Sequence, residues 1–173
     1  PDDIIVASYV GRPVTQDEFN RNLFMLADYY NAKIGFENDR GEVIAYAKRH
    51  RKLHRLQPEF EMLDKKQLQS KRVKRSYGMH MTQARKQQGE IYIRDWLNSA
   101  RGVESDGKEL LNLHKIYDPA LLQELIKFNH KGNFDRVMSL MIAMYHSREL
   151  YNTEVKDIYN DRSSDSFFDR QFF

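Results

Sequence analysis

Residues 31–39 read NAKIGFEND, a short apolar run that closes on a carboxylate, Glu37, with a second acid two positions on. The residues before it carry a helix signal: Thr15 and Glu18 in TQDE have capping-box spacing, and Phe19, Leu23, Leu26 and Tyr30 recur three or four apart, giving one apolar face through about Asn31. AKIGF then reads as a short strand, followed by a second helix from about Gly41 to Arg51. Upstream, IIVASYV (4–10) is a β-branched run stopped by GRP, which predicts a strand and a turn. Strand, helix, strand, helix in this order predicts an α/β fold, a mostly parallel sheet covered by helices, with functional groups at the C-terminal ends of its strands. Glu37 falls at such an end, although an acid there also reads as a surface residue or as a cap for the next helix. Asn38 and Asp39 read as turn residues opening that helix.

The middle of the chain is less regular. RLQPEFEML (55–63) is a strand candidate weakened by Pro58, and DKKQLQSKRVKRSYGMH (64–80) predicts an exposed basic loop or hairpin. Thr82 caps a helix whose packing face is Ile93, Trp96, Leu97 and Ala100, with Gly102 at the place of a left-handed C-terminal cap. GVESDGKE (102–109) is turn-rich. Asp118 and Pro119 open another helix, with Leu121, Leu122, Leu125 and Phe128 inward, and a last helix spans about Asn133 to Tyr151 with Val137, Met141, Met144 and Tyr145 on its apolar stripe. The expected organisation is one domain over residues 1–151 and a polar tail over 152–173, whose four Phe without a period indicate disorder or a partner-binding tag.

Composition narrows the classes of function. The chain has 173 residues, 40% hydrophobic and 31% charged, enough for one ordinary core. No apolar run approaches the roughly 20 residues of a membrane span, so no membrane partner is expected. PDDIIVASYV lacks the cationic lead and the cleavage pattern of a signal peptide. There is no Cys, which excludes disulfides and thiolate metal sites. No Walker loop or dinucleotide fingerprint occurs, so no nucleotide cofactor is expected by those routes. His50 and His54 have zinc-compatible spacing but stand in KRHRKLHR, where neighbouring cations oppose a metal ion. The other histidines are isolated, with no nucleophile signature near them.

Charge is distributed unevenly. Lys48–Lys86 carries 13 basic residues against three acids, whereas the rest of the chain carries 15 basic and 22 acidic residues. Such asymmetry points to a polyanion, with a solvated helix face and charged loop as the plainer explanation. On the last helix, Asp135 occupies the first turn, where a carboxylate favours the helix macrodipole. A strand-end acid, Glu37, and Asp135 on a helix able to pack over that end also fit the expectation of a divalent cation site of hard oxygen ligands, although two acids alone are a weak signal.

Four blocks in order now carry a resemblance. VASYVGRP (6–13), LADYYNAKIGFENDRGEVI (26–44), GMHMTQARKQQGEIYIRDWL (78–97) and LLQELIKFNHKGNFDRVMSLMIAMYHSREL (121–150) together resemble the C-terminal nuclease domain of tailed-bacteriophage terminase large subunits, over roughly residues 1 to 151. The resemblance implies a ribonuclease H-like mixed sheet flanked by helices and a metal-dependent endonuclease that cuts concatemeric viral DNA during packaging. It implies that Glu37 matches the acid ending the second catalytic strand and that Asp135 matches the aspartate on the final helix, both metal ligands and catalytic. Two ions, Mg²⁺ or Mn²⁺, are implied for the complete domain. The implied partners are double-stranded DNA, the portal protein, the small terminase subunit and an upstream ATPase domain, in the cytoplasm of an infected bacterial host. One departure stands out. The family has a further metal-binding aspartate on a first strand upstream of the VASYVGRP strand, and this chain begins at that strand. It is therefore expected to lack the first strands and one ligand, with activity of the isolated piece in doubt.

Two cations roughly 3.5–4 Å apart would stabilise the attacking and leaving oxygens of phosphodiester hydrolysis, and carboxylates must hold them. Lys65, Lys66, Lys71, Arg72, Lys74 and Arg75 are expected to contact backbone phosphates without reading bases, and Arg85 and Lys86 to lie nearer the scissile phosphate. Two other readings stand beside this one: a non-catalytic DNA-binding or docking module that uses the basic 48–86 segment, and another ribonuclease H-like nuclease such as a resolvase.

Overall fold

The computed structural model describes residues 4–39, 41–59, 77–129 and 132–163, with backbone alone beyond Leu150. The fold is mixed α/β, with five α-helices and one two-stranded antiparallel sheet among these residues. It is organised around the extended 33–38 segment. There Ile34, Phe36 and Asn38 are buried and alternate with Lys33, Gly35 and Glu37, the period-two pattern of a strand between two layers.

Backbone hydrogen bonds show what this segment pairs with. Ile34 N–H donates to Arg55 O at 2.7 Å and Gln57 N–H to Ile34 O at 2.9 Å, a parallel bridge between Ile34 and Leu56. Further along, Met79 N–H donates to Phe36 O at 2.9 Å and Asn38 N–H to Met79 O at 2.8 Å, a parallel bridge between Glu37 and Met79. Ile34, Phe36 and Asn38 are alternate residues, so both bridges use the same edge. The neighbour on that edge is thus one strand in two pieces, 55–57 and 78–79. The chain departs at Pro58 and is back at Tyr77, where an antiparallel bridge and a Gly78 N–H to Gln57 O bond of 3.0 Å close the base. Proline suits the exit because it has no N–H to leave unpaired.

Helices cover both faces. On one face, α1 (Gln16–Tyr29) and α2 (Glu42–Arg49) bury Phe24, Ala27, Tyr46 and Ala47 against Ile34, Phe36 and Leu56. The Phe24 and Tyr46 rings stack with centroids 5.3 Å apart. On the other face lies the larger core, where α3 (Gln83–Leu97), α4 (Pro119–Lys127) and α5 (Asp135–Ser163) gather Met79, Ile93, Trp96, Leu121, Val137, Met141 and Tyr145. Two glycines permit close approach. A Cβ on Gly35 would lie 3.0 Å from Ile142 of α5, and one on Gly89 would lie 3.1 Å from Met141. Between α3 and α4, β1 (Ala100–Val103) and β2 (Glu109–Leu111) form a hairpin, with buried Asn112 donating to Trp96 O at 2.8 Å.

Capping follows the sequence closely. Thr15 accepts from Glu18 N–H, Thr82 from Arg85 N–H, and Asp118 from the Ala120 and Leu121 amides. Elsewhere the structure departs from expectation. Residues 4–13 belong to no helix or strand; side chains hold them, with Ser8 donating to Asp118, Asn22 donating to the Tyr9 hydroxyl, and Ile5 on the core. The buried face of α1 is Asn20, Phe24 and Ala27, and Leu26 and Tyr30 are exposed. Small Ala27 allows the close turn into the extended segment, with Ala32 N–H donating to Ala27 O at 2.8 Å. Asn98, not Gly102, ends α3, and Gly102 and exposed Ala100 both belong to β1. Residues 152–163, expected in the tail, continue α5. The strand expected over 55–63 is limited to the bridges at Leu56 and Pro58, with 60–63 outside the described residues.

Gly78 is the residue this arrangement depends on. Its φ of +70° is left-handed, and a Cβ there would lie 2.8 Å from Phe36 O. Gly78→Ala should therefore destabilise the chain by about 1–3 kcal/mol in urea unfolding. A change within experimental error would show that the two-piece pairing is not as described.

Candidate functional site

Glu37 stands where the 33–38 segment ends, and three features of the fold crowd it. The Met79 bridge fixes its backbone, and buried Asn38 donates its side-chain amide to Tyr77 O at 2.8 Å, pinning the returning chain beside it. Asn38 is thus an internal tie instead of a turn residue. Glu37, Asp39 and Glu42 line one cavity of about 220 Å³ with Gln16, Phe36, Gly41 and Val43.

The Glu37 side chain is open to solvent by area, yet protein packed around its carboxyl removes much of its hydration. That desolvation pushes its pKa above the ordinary 4.5, and the Asp39 charge and a hydrogen bond shared with Asp39 push the same way. Lys86 and His80 act in the opposite direction. Asp39 in turn lies 2.7 Å from His80 Nδ1. Two carboxyls in contact favour either a shared proton or a cation, so the donor set suits a hard divalent ion.

Asp135 opens α5. The capping role belongs to Glu124, whose Oε2 accepts from the Arg136 amide at 3.0 Å and the Val137 amide at 3.4 Å, while its Oε1 pairs with Arg136 at 2.7 Å. Among the described residues the Asp135 carboxylate has no hydrogen-bond or ion-pair partner. It lines a cavity of about 440 Å³ under residues 5–11, with Asp118, Phe19, Leu121 and Ser139. Asp118 has its pKa lowered by the Ser8 hydroxyl and by the backbone amides that it caps.

The two acids stand on elements that touch at Gly35. Lys33 acts electrostatically on His146, whose pKa burial pushes down, and Gly35 faces Ile142 with His146 beyond it. Helix α5 thus covers the extended segment at Gly35, and the two elements carry Asp135 and Glu37 respectively. They nonetheless line different cavities with no residue in common, and the acid in contact with Glu37 is Asp39. Among the described residues no three His, Asp or Glu side chains converge as a metal-holding group.

The basic residues divide. Lys65, Lys66, Lys71, Arg72, Lys74 and Arg75 lie outside the described residues. Lys86 is half-buried and within electrostatic reach of Glu37. Arg85, expected at a DNA surface, is only 7% exposed and donates to His80 O at 2.7 Å. Sequence reasoning missed Asp39, His80 and Glu124. Asp39 followed Glu37 too closely to be read as anything but a turn, His80 was one isolated histidine, and Glu124 lies 12 positions before the helix end it caps. No known protein family, curated protein or solved structure matches the chain.

The raised Glu37 pKa has a signed consequence. Its neutral form suits the fold, so ionisation removes stability as pH rises above 4.5 through the folded-state value. Glu37→Gln should melt above the parent at pH 7 by about 1–3 °C, and the gap should close below pH 4.5. A variant that melts lower at pH 7 would mean the carboxylate is held by interactions that favour its charge.

Proposed function

We propose that this chain is the nuclease part of a viral DNA-packaging terminase, a ribonuclease H-like domain that hydrolyses phosphodiesters of concatemeric DNA with Mg²⁺ or Mn²⁺. The observation that carries the reading is the crowded Glu37 and Asp39 acid pair at the end of a parallel-paired segment, an arrangement that resists ionisation unless a cation is present. Asp135, unpartnered among the described residues, adds a carboxylate on the helix that covers the segment. Glu37 and Asp39 would hold the ion, and Asp135 would join from α5. The bound ions supply charge stabilisation to the attacking and leaving oxygens. The chain's own groups would position them and set their charge, Lys86 meeting phosphate negative charge and His80 orienting Asp39.

The basic 48–86 segment supports double-stranded DNA as the polyanion, bound through phosphates. The portal protein, the small terminase subunit and an ATPase domain would be the packaging partners, in the cytoplasm of the bacterial host. No helix among the described residues is long and apolar enough to cross a membrane. A second reading, a non-catalytic DNA-binding module, is favoured by one observation, the separate cavities of Glu37 and Asp135.

Nicking of supercoiled plasmid decides between them. In the longest natural form of the protein with Mn²⁺ or Mg²⁺, Glu37→Ala and Asp135→Ala should each reduce nicking by about 10²-fold or more, and chelator should abolish it. Full activity in both variants would remove the metal-ligand assignment, and DNA binding without any metal-dependent cleavage in the parent would favour the second reading.

A further inference from the structure

Helix α5 presents a side of small and charged residues to the segment that precedes α1. Asp135, Arg136, Ser139, Leu140 and Ala143 recur along that side at helical spacing, next to the stripe Val137, Met141 and Tyr145 that enters the core. Leu140 is buried, whereas Ser139 and Ala143 are exposed. Two such short side chains fill little of the space between the helix and residues 5–11, and the result is the cleft of about 440 Å³. Protein interiors are close-packed, and a cleft of this size is in the range that seats small organic ligands.

The lining selects the sign and shape of the ligand. Ile5, Leu121 and Leu140 supply apolar wall, and the Tyr9 and Phe19 rings, with centroids 6.2 Å apart, line the cleft together. Of the three charged side chains on the lining, two are engaged by the protein. Asp118 accepts from the Ser8 hydroxyl at 2.9 Å and from the Ala120 and Leu121 amides. Arg136 pairs with Glu124 at 2.7 Å and lies 3.7 Å from Asp118. The third, Asp135, has no partner among the described residues, so the cleft sets one uncompensated negative charge beside apolar and aromatic wall. A ligand with an apolar body and a single positive group complements both features, whereas an anion would meet Asp135 and Asp118 together.

We propose that this cleft binds a small organic cation, its aromatic or aliphatic body against Tyr9, Phe19 and Leu140 and its amidinium, guanidinium or ammonium group on the Asp135 carboxylate. The site goes beyond the nuclease reading and needs no metal. The two meet at Asp135, whose carboxylate cannot hold a metal ion and an organic cation at once. Only that mutual exclusion rests on the nuclease reading.

Benzamidine is the probe, with benzamide as its neutral isostere and benzoate as its anionic one. In chelator, NMR titration of the full chain with benzamidine should move the Ile5, Leu121 and Leu140 methyl signals and the Asp135 carboxyl signal together, and saturably. Benzamide should bind at least about tenfold more weakly, and benzoate more weakly still. Asp135→Asn should weaken benzamidine by about tenfold and leave benzamide unchanged. Ala143→Leu, at an exposed helical position, should fill the cleft and weaken both, whereas Glu104→Gln, an exposed acid outside the cleft, should change neither. No saturable shift, equal binding of benzamidine and benzamide, full affinity in Asp135→Asn or Ala143→Leu, or shifts confined to other residues would overturn the site. Saturating Mg²⁺ should weaken benzamidine binding; an unchanged affinity would overturn the exclusion at Asp135 and leave the cleft standing. Absence of metal-dependent plasmid nicking with benzamidine binding intact would remove the nuclease reading alone.

Discussion

Everything at the candidate site depends on one edge of the 33–38 segment pairing with two separated pieces of chain. Each piece supplies only two hydrogen bonds to that edge. Such short pairing is weak in isolation, because a few backbone bonds do not offset the conformational entropy of ordering both chains. It holds here because Leu56 and Met79 are both fully buried, one in each core, and because Asn38 and Gly78 fasten the junction where the second piece takes over. Glu37 lies at that junction. Its position is set by the packing of both layers, and its exposure to solvent does not make it free to move.

The junction also explains the electrostatics. A segment that ends between two helical layers delivers its last side chain into a partly desolvated place, and Asp39 and Glu42 are brought to the same cavity as the chain turns into α2. Burial and the Asp39 charge together disfavour ionisation of Glu37, whereas Lys86 on α3 acts the other way. The negative charge of the Glu37 and Asp39 pair is thus offset in part by Lys86. The chain leaves this junction at Pro58 and is back at Tyr77.

Helices were legible in the sequence to a degree that strands were not. Caps at Thr15, Thr82 and Asp118 and the stripe Val137, Met141, Met144 and Tyr145 are local patterns, and the structure contains them all. The α1 face was misjudged because spacing alone favoured the larger Leu26 and Tyr30 over Asn20 and Ala27, and only tertiary contact distinguishes the two stripes. IIVASYV has strand propensity but no strand partner among the described residues, which no local signal could show. The strand in two pieces was invisible because its halves are some 20 positions apart, and the sequence between them read as a continuing strand to 63 and then a basic loop or hairpin. Glu37 and Asp135 were legible as isolated acids. What each one touches was not, since Asp39 as a neighbour and Glu124 as the true cap are products of the fold.

The central claim is that Glu37 and Asp135 serve one metal site from opposite elements. Substoichiometric Mn²⁺ added to protein carrying ¹³C-labelled Asp and Glu carboxyls tests it without reference to activity, because paramagnetic broadening falls steeply with distance and is greatest for the carboxyls that hold the ion. The account predicts that the Glu37, Asp39 and Asp135 carboxyl signals broaden together at the same Mn²⁺ level, ahead of the exposed acids. Broadening of Glu37 and Asp39 with Asp135 unaffected, or of surface acids alone, would contradict it.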